Sequence, residues 1–237
     1  MKGTTKIVLG IIGALVVIVI ALAIGARVVV DNMLSSGGEG DAIELSGNRI
    51  ERSFDLQDFS AIEVTGGWQI VVTQGDSYGV TVSADEALME HLIVERQGDA
   101  LRVGADRWRW SSEGRLRLEV TTPRLSRIDV DGGADVRLSG LQTESLRIDI
   151  DGAGNITAAD ARVERLTVEV DGAANVDFVE SSVVNADIRM SGAGNVEITM
   201  AGGELAGRIE GVGSVTYGGE VSRRTIRVDG LGSVERR

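Results

Sequence analysis

One six-residue phrase returns six times in the second half of the chain: Asp131-Gly-Gly-Ala-Asp-Val136, Asp151-Gly-Ala-Gly-Asn-Ile156, Asp171-Gly-Ala-Ala-Asn-Val176, Ser191-Gly-Ala-Gly-Asn-Val196, Glu210-Gly-Val-Gly-Ser-Val215 and Asp229-Gly-Leu-Gly-Ser-Val234. Each phrase starts about 20 residues after the one before it. A fixed period of this size belongs to chains that stack one small unit on the next, so it constrains the fold more than any other feature.

The columns of the repeat describe one coil. One and three places before each phrase stand apolar residues, such as Val130 and Ile128 or Val170 and Val168, and five places after its start stands Val or Ile. Alternation of this kind makes two short inward-facing strands per unit. Between them Gly132, Gly152, Gly172, Gly192, Gly211 and Gly230 occupy one place, where a tight corner needs positive φ or leaves no room for a Cβ. A dinucleotide-binding reading of Gly152-Ala-Gly154 needs a helix to follow, and a strand pattern follows every time. An outer-membrane barrel wants aromatic girdles, whereas the six units hold one Phe, one Tyr and no Trp.

The expected fold is therefore all-β: a parallel β-helix-like solenoid with about 20 residues per coil. Parallel stacking puts like residue on like residue about 4.8 Å apart. Asn155, Asn175 and Asn195, continued by Ser214 and Ser233, then form a polar ladder beside the glycine corner. Two places before each phrase an outer column runs Asp129, Asp149, Glu169, Arg189, Arg208, Arg227. It reads as a solvated face that keeps the sheet soluble, with Arg127 and Arg147 screening the stacked carboxylates.

Ahead of the repeats, Ile62-Glu-Val64, Trp68-Gln-Ile70-Val-Val72 and Leu116-Arg-Leu118-Glu-Val120 alternate as strands do. The segment Ala84 to Gln97 departs from this and reads as a single helical turn or an irregular strand, with Asp85-Glu-Ala-Leu suiting a helix start.

The N-terminus carries a different signal. From Ile7 to Ala26 every position is apolar or glycine, a run long enough to span a hydrocarbon core of about 30 Å. Lys2 and Lys6, the only lysines, precede this run and favour a cytoplasmic N-terminus. The expected organisation is a membrane anchor over 1–30, a flexible linker over 31–48 and an exported domain over 49–237, whose glycine-turn repeats fill 126–237. A cleaved signal peptide ending near Ala21-Leu-Ala23 is the competing reading.

Residues 31–237 hold 21 arginines and 36 acidic residues, a net charge of −15, which repels phosphate backbones and argues against nucleic acid. Without cysteine there are no disulfides, thiol nucleophiles or thiolate metal sites. The single histidine, His91, lies among Met89, Leu92 and Ile93 and has no triad partners in view. No catalytic residue, cofactor or metal ligand is assigned. Calcium is kept as an alternative because Asp131-Gly-Gly-Ala-Asp135 is similar to half of a calcium-binding solenoid repeat, although the Asp column turns to Asn and Ser further on. The candidate contact residues are Trp108, Arg109 and Trp110, two tryptophans on one side of a polar loop that either bind a sugar ring or partner protein or cover an end of the core.

The segments Arg52-Ser-Phe54-Asp-Leu-Gln-Asp-Phe59-Ser-Ala-Ile62-Glu-Val64, Gly67-Trp-Gln-Ile70-Val-Val72-Thr-Gln-Gly75 and Leu125-Ser-Arg-Ile128-Asp-Val130-Asp-Gly132 resemble the head GIN domain family, also described as a putative auto-transporter adhesin domain of unknown function. The likeness covers roughly 50–236. It implies a right-handed β-helix-like fold without catalytic residues and an adhesive role at the bacterial cell surface. Together these readings describe a membrane-anchored, extracytoplasmic interaction domain that contacts an envelope protein or glycan. A glycan-binding or glycan-cleaving solenoid is the alternative.

Overall fold

The computed structural model describes residues 43, 45–105 and 116–237, which belong to one compact unit, Ala42–Arg237. The apolar run 7–26 and the Trp108-Arg109-Trp110 segment lie outside the described residues. No helix among the described residues is long and apolar enough to cross a membrane.

The described chain is almost wholly β, as the alternating patterns predict. Its strands are β1 (Arg49–Phe54), β2 (Ala61–Gln74), β3 (Gly79–Asp85), β4 (Leu92–Gln97), β5 (Ala100–Ala105), β6 (Leu116–Thr122) and β7 (Arg127–Ser139). There follow β8 (Gln142–Met190), β9 (Ala193–Ala201), β10 (Glu204–Ile209), β11 (Val212–Glu220), β12 (Arg223–Arg224), β13 (Arg227–Val228) and β14 (Leu231–Arg236). One helical turn, α1 (Glu86–Met89), stands between β3 and β4; its N-terminus is capped by Asp85, whose Oδ1 accepts from Ala87 N at 2.9 Å. The segment with two readings thus contains both, a helical turn and then a strand.

Register follows the repeat. β7 pairs with β8 in parallel, Arg127 beside Arg147 through Ser139 beside Ala159, which is the spacing of the first two phrases. β9 and β11 also pair in parallel, Val196 beside Val215, at the slightly shorter spacing of the later phrases. Like residues therefore lie beside like residues, and the aliphatic columns close into one core: Ile128, Ile148, Val168 and Ile188 are all 0% exposed.

The ladder also begins earlier than the six phrases. β2 pairs with β7 over almost its whole length, so Thr65-Gly-Gly-Trp-Gln-Ile70 lies alongside Asp131-Gly-Gly-Ala-Asp-Val136. On its other side β2 pairs in parallel with β5 and then β6. Trp68 is buried in the column that continues as Ala134, and its indole Nε1 donates to Thr65 O at 3.1 Å. Beyond β6 and β5 the order ends in antiparallel partners: β3 against β6, β1 against β3, and β4 against β5. Strands of reversed direction stop further parallel stacking at this end.

The register of β8 against β9 shifts between Phe178 and Val183, and a serine lies at this irregularity. Ser181 is buried, with its hydroxyl donating to Ala158 O at 2.8 Å and accepting from Ala161 N at 3.2 Å. Ser181→Ala removes both bonds from a buried position, so urea unfolding is expected to show a loss of about 2 kcal/mol.

Candidate binding groove

The bend at the glycine column shapes the site. Gly132 and Gly152 take φ of 126° and 133°, in the left-handed half of the map, which lets each strand turn at the same residue. In the later coils Gly192 and Gly211 are held by space: a Cβ on either would meet the carbonyl oxygen of the preceding coil's glycine.

Beside this bend, on the solvent face of the sheet, runs a groove of about 660 Å³. Its long row is the outer charge column, extended by two members that the phrase does not include. Arg102 of β5 lies beside Glu63 of β2, and Glu63 beside Asp129 of β7. In space the column reads Arg102, Glu63, Asp129, Asp149, Glu169, Arg189, Arg208: four acids between arginines at both ends. Seven layers at about 4.8 Å each make a row about 29 Å long. The second row stands one turn nearer the corner and includes Thr65, Asp131, Asp151, Asp171 and Ser191.

The face is solvated and arginine-screened, as expected, and it is also recessed. The Asp129 and Asp149 side chains are only 31% and 30% exposed, in a concave trough. Arg127 bridges Asp129 at 3.2 Å and Glu63 at 2.9 Å. Arg147 donates from Nε to Asp149 at 2.7 Å and from its other arm to Glu169, which also accepts from Arg189 at 2.7 Å. The arginines screen the acids, as their spacing predicts, and they do so across coils. The paired arginines hold the Glu169 carboxyl below its ordinary value, the Arg189 hydrogen bond being the larger influence.

The screening has one gap. No guanidinium lies between Asp129 and Asp149; each gives Oδ2 to an arginine, and the Oδ1 of each is buried without a partner. Burial pushes the Asp129 carboxyl up to about 6, opposed by Arg127 and reinforced by Asp149 and Glu63. A proton held between the two carboxyls satisfies both orphaned oxygens. Because the folded state keeps this proton up to about pH 6 while the unfolded chain releases it near pH 4, stability falls as pH rises across that window. Asp129→Asn removes the fall: above pH 6 the variant is expected to be more stable by about 1 kcal/mol, discounted for partial exposure, with the difference vanishing near pH 3. Melting followed across pH checks it.

The other residues singled out in the sequence lie elsewhere. His91 is exposed beyond α1, with its backbone N–H donating to Leu88 O. The polar ladder runs from Asn175 to Asn195, where Nδ2 donates to Oδ1 at 3.3 Å, and on to Ser214, whose hydroxyl donates to the Asn195 oxygen at 2.8 Å. Asp135, in the same column, is held instead by Arg137 at 2.9 Å. Among the described residues no three His, Asp or Glu side chains form a metal-holding group. The groove itself went unread, because a column shows which residues stack but not that the sheet curves towards them. The available signal was Thr65-Gly66-Gly67, which matches the phrase one corner earlier.

A family model described as "putative auto-transporter adhesin, head GIN domain" matches residues 58–197. Among solved structures, a putative adhesin from Bacteroides fragilis is 19% identical, covers 84% of this chain and all of its own, and superposes with a TM-score of 0.65. A putative lipid binding protein from Parabacteroides distasonis is 16% identical over 82% of this chain and 99% of its own, at a TM-score of 0.52. A putative adhesin from the same species is also 16% identical, over 83% of this chain and all of its own, at 0.50. At these identities the likeness is one of fold. No curated protein matches the chain.

Proposed function

We propose, from the premise that this chain belongs to the putative auto-transporter adhesin, head GIN domain family, that it is a membrane-anchored interaction domain displayed outside the cytoplasm, with the groove as its contact surface. One observation carries this reading: parallel pairing at the period of the repeat lines charged side chains, four acids between arginines, into a continuous trough. An outer face kept only for solubility has no need of such a concavity. The same pairing supports a right-handed solenoid, since a right-handed crossover is the rule between parallel strands of one sheet.

The anchor is the apolar run 7–26, held with its N-terminus in the cytoplasm by Lys2 and Lys6. Fractionation with N-terminal sequencing tests it: the uncleaved chain in the membrane fraction supports an anchor, and a mature chain starting after Ala23 contradicts it.

No catalysis is assigned to the groove. The one carboxyl in it with a raised value, that of Asp129, lies within hydrogen-bonding reach of Asp149, closer than the about 5 Å or more by which two carboxyls flank a glycosidic bond. The interaction reading is tested by retention of envelope components on the full chain and on an Arg147→Ala/Arg189→Ala variant. Loss of a retained partner from a variant with unchanged melting supports the groove. Equal retention by both moves the contact surface elsewhere.

A further inference from the structure

We infer that four arginines, Arg52, Arg96, Arg224 and Arg236, keep the two ends of the coil stack from pairing with a second copy of this chain. The inference is independent of the groove and concerns the faces at which the stack stops.

Position carries it. The stack ends on β1 and β4 at one side, and on β14 and the line of β12 and β13 along β10 at the other. Each of these four edges holds one arginine in a core column. Arg52 lies beside Val82, Arg96 beside Leu101, Arg224 beside Leu205 and Arg236 beside Tyr217. Directly paired residues share a face of the sheet, and these four neighbours are buried while the arginines are exposed. One layer further in, the same columns hold Leu118, Ile62, Ala186 and Ile198, all buried. Charge enters these columns only where they end.

The rest of each end suits a further coil. Ile226, Val228 and Val234 at one end, and Ile50, Phe54 and Val94 at the other, are half-buried and pack against the core. Along β14 the N–H groups of Leu231 and Arg237 donate back to the preceding coil at 2.8 and 2.9 Å, so Gly232, Val234 and Arg236 between them turn their N–H and C=O groups outward. A second copy fits this edge, because its end coil offers the same aliphatic columns at the same spacing and two β14 edges can pair antiparallel about a two-fold axis. Such pairing would close the guanidiniums of Arg224 and Arg236 into apolar columns, where desolvation opposes it. At the other end the reversed strands β3 and β4 already interrupt the parallel order. Arg224 and Arg236 therefore guard the more open end.

Sedimentation velocity of the full chain in detergent tests this against the wild type as reference. Arg224→Leu/Arg236→Leu is expected to shift to a dimer with a dissociation constant of about 10 μM or below, its melting temperature rising with concentration. Adding Arg52→Leu/Arg96→Leu opens the second end and should let assemblies grow beyond dimers. The control is Arg223→Leu/Arg227→Leu. It removes the same charge and adds the same apolar surface at the same end, but in outward columns beside Glu204 and Arg208, and it should leave the sedimentation coefficient unchanged. Arg236→Leu alone carries the test if the double variant folds poorly. Equal association of the control pair overturns the inference, because apolar surface and not column position would then decide. A folded end-column variant that keeps the wild-type coefficient overturns it as well.

Discussion

Gly172→Val is expected to destabilise the domain by more than about 4 kcal/mol, lowering its melting temperature by about 10 °C or more. Two effects combine at this residue. Its φ of 149° lies where a β-branched side chain is strained, and a Cβ would run into the backbone oxygen of Gly152 in the preceding coil. That neighbour is backbone and cannot rotate away, so the coils would have to separate and stretch the hydrogen bonds on both sides. Gly133 is the control. A Cβ there meets nothing within 4 Å, and the positions stacked in its column already carry Ala153, Ala173 and Ala193. Gly133→Ala should change stability by less than about 0.5 kcal/mol. Chemical denaturation of the two variants compares a corner that forbids a side chain with its immediate neighbour, which tolerates one. A mild effect at Gly172 would mean that the coils are not in close register.

Phe178→Ala is expected to cost about 4 kcal/mol. Phe178 is wholly buried in a column whose members include Val72, Leu138, Ala158, Ile198 and Tyr217. It stands next to Ala158 of the coil before, so the pair divides the volume unevenly between two buried layers. Truncating it places alanine on alanine, and coils fixed by backbone hydrogen bonds cannot close the cavity. A second result follows from the same packing. In the Ala158→Phe/Phe178→Ala double variant, the size swap should recover part of the loss, because neighbours in one column are not additive. Urea midpoints read both, with an unchanged denaturant slope showing that the unfolded state is unaffected.

The same two columns show what could be read from the chain alone. Gly172 and Phe178 recur at fixed offsets, and in a parallel stack sequence offset becomes spatial adjacency, so the corner and the core were legible before any coordinates. Trp68 was not, although it sits in the same ladder. Its coil is far from the next in sequence, because β3, α1, β4, β5 and β6 intervene before the chain returns at β7. A search for the period of the six phrases passes over it. Arg102 and Glu63 escaped for the same reason, and with them the arginine that closes one end of the acidic row.

The groove was hidden for a different reason. The column of Asp129, Asp149 and Glu169 could be seen to carry like charge, and Arg127 and Arg147 could be seen to offset it. Whether the face carrying these charges was convex or concave depended on the direction of the bend at Gly132 and Gly152, which composition does not encode. The half-buried carboxyls and the raised Asp129 value follow from that concavity, not from the order of charges.

Register is the claim on which the core, the corner and the groove all depend, and the absence of native cysteine makes it directly measurable. Arg137 lies beside Thr157 in adjacent coils, on the outer side of the sheet away from the groove. Cysteines introduced at these two positions of the full chain are expected to join rapidly with a short thiol-to-thiol cross-linker, since in-register neighbours stand within disulfide range. The pair at positions 137 and 158 is shifted by one residue and points to opposite faces, so it should remain unjoined. Efficient linkage of 137 to 157 alone is the predicted result; equal linkage of both pairs, or of neither, would contradict the account.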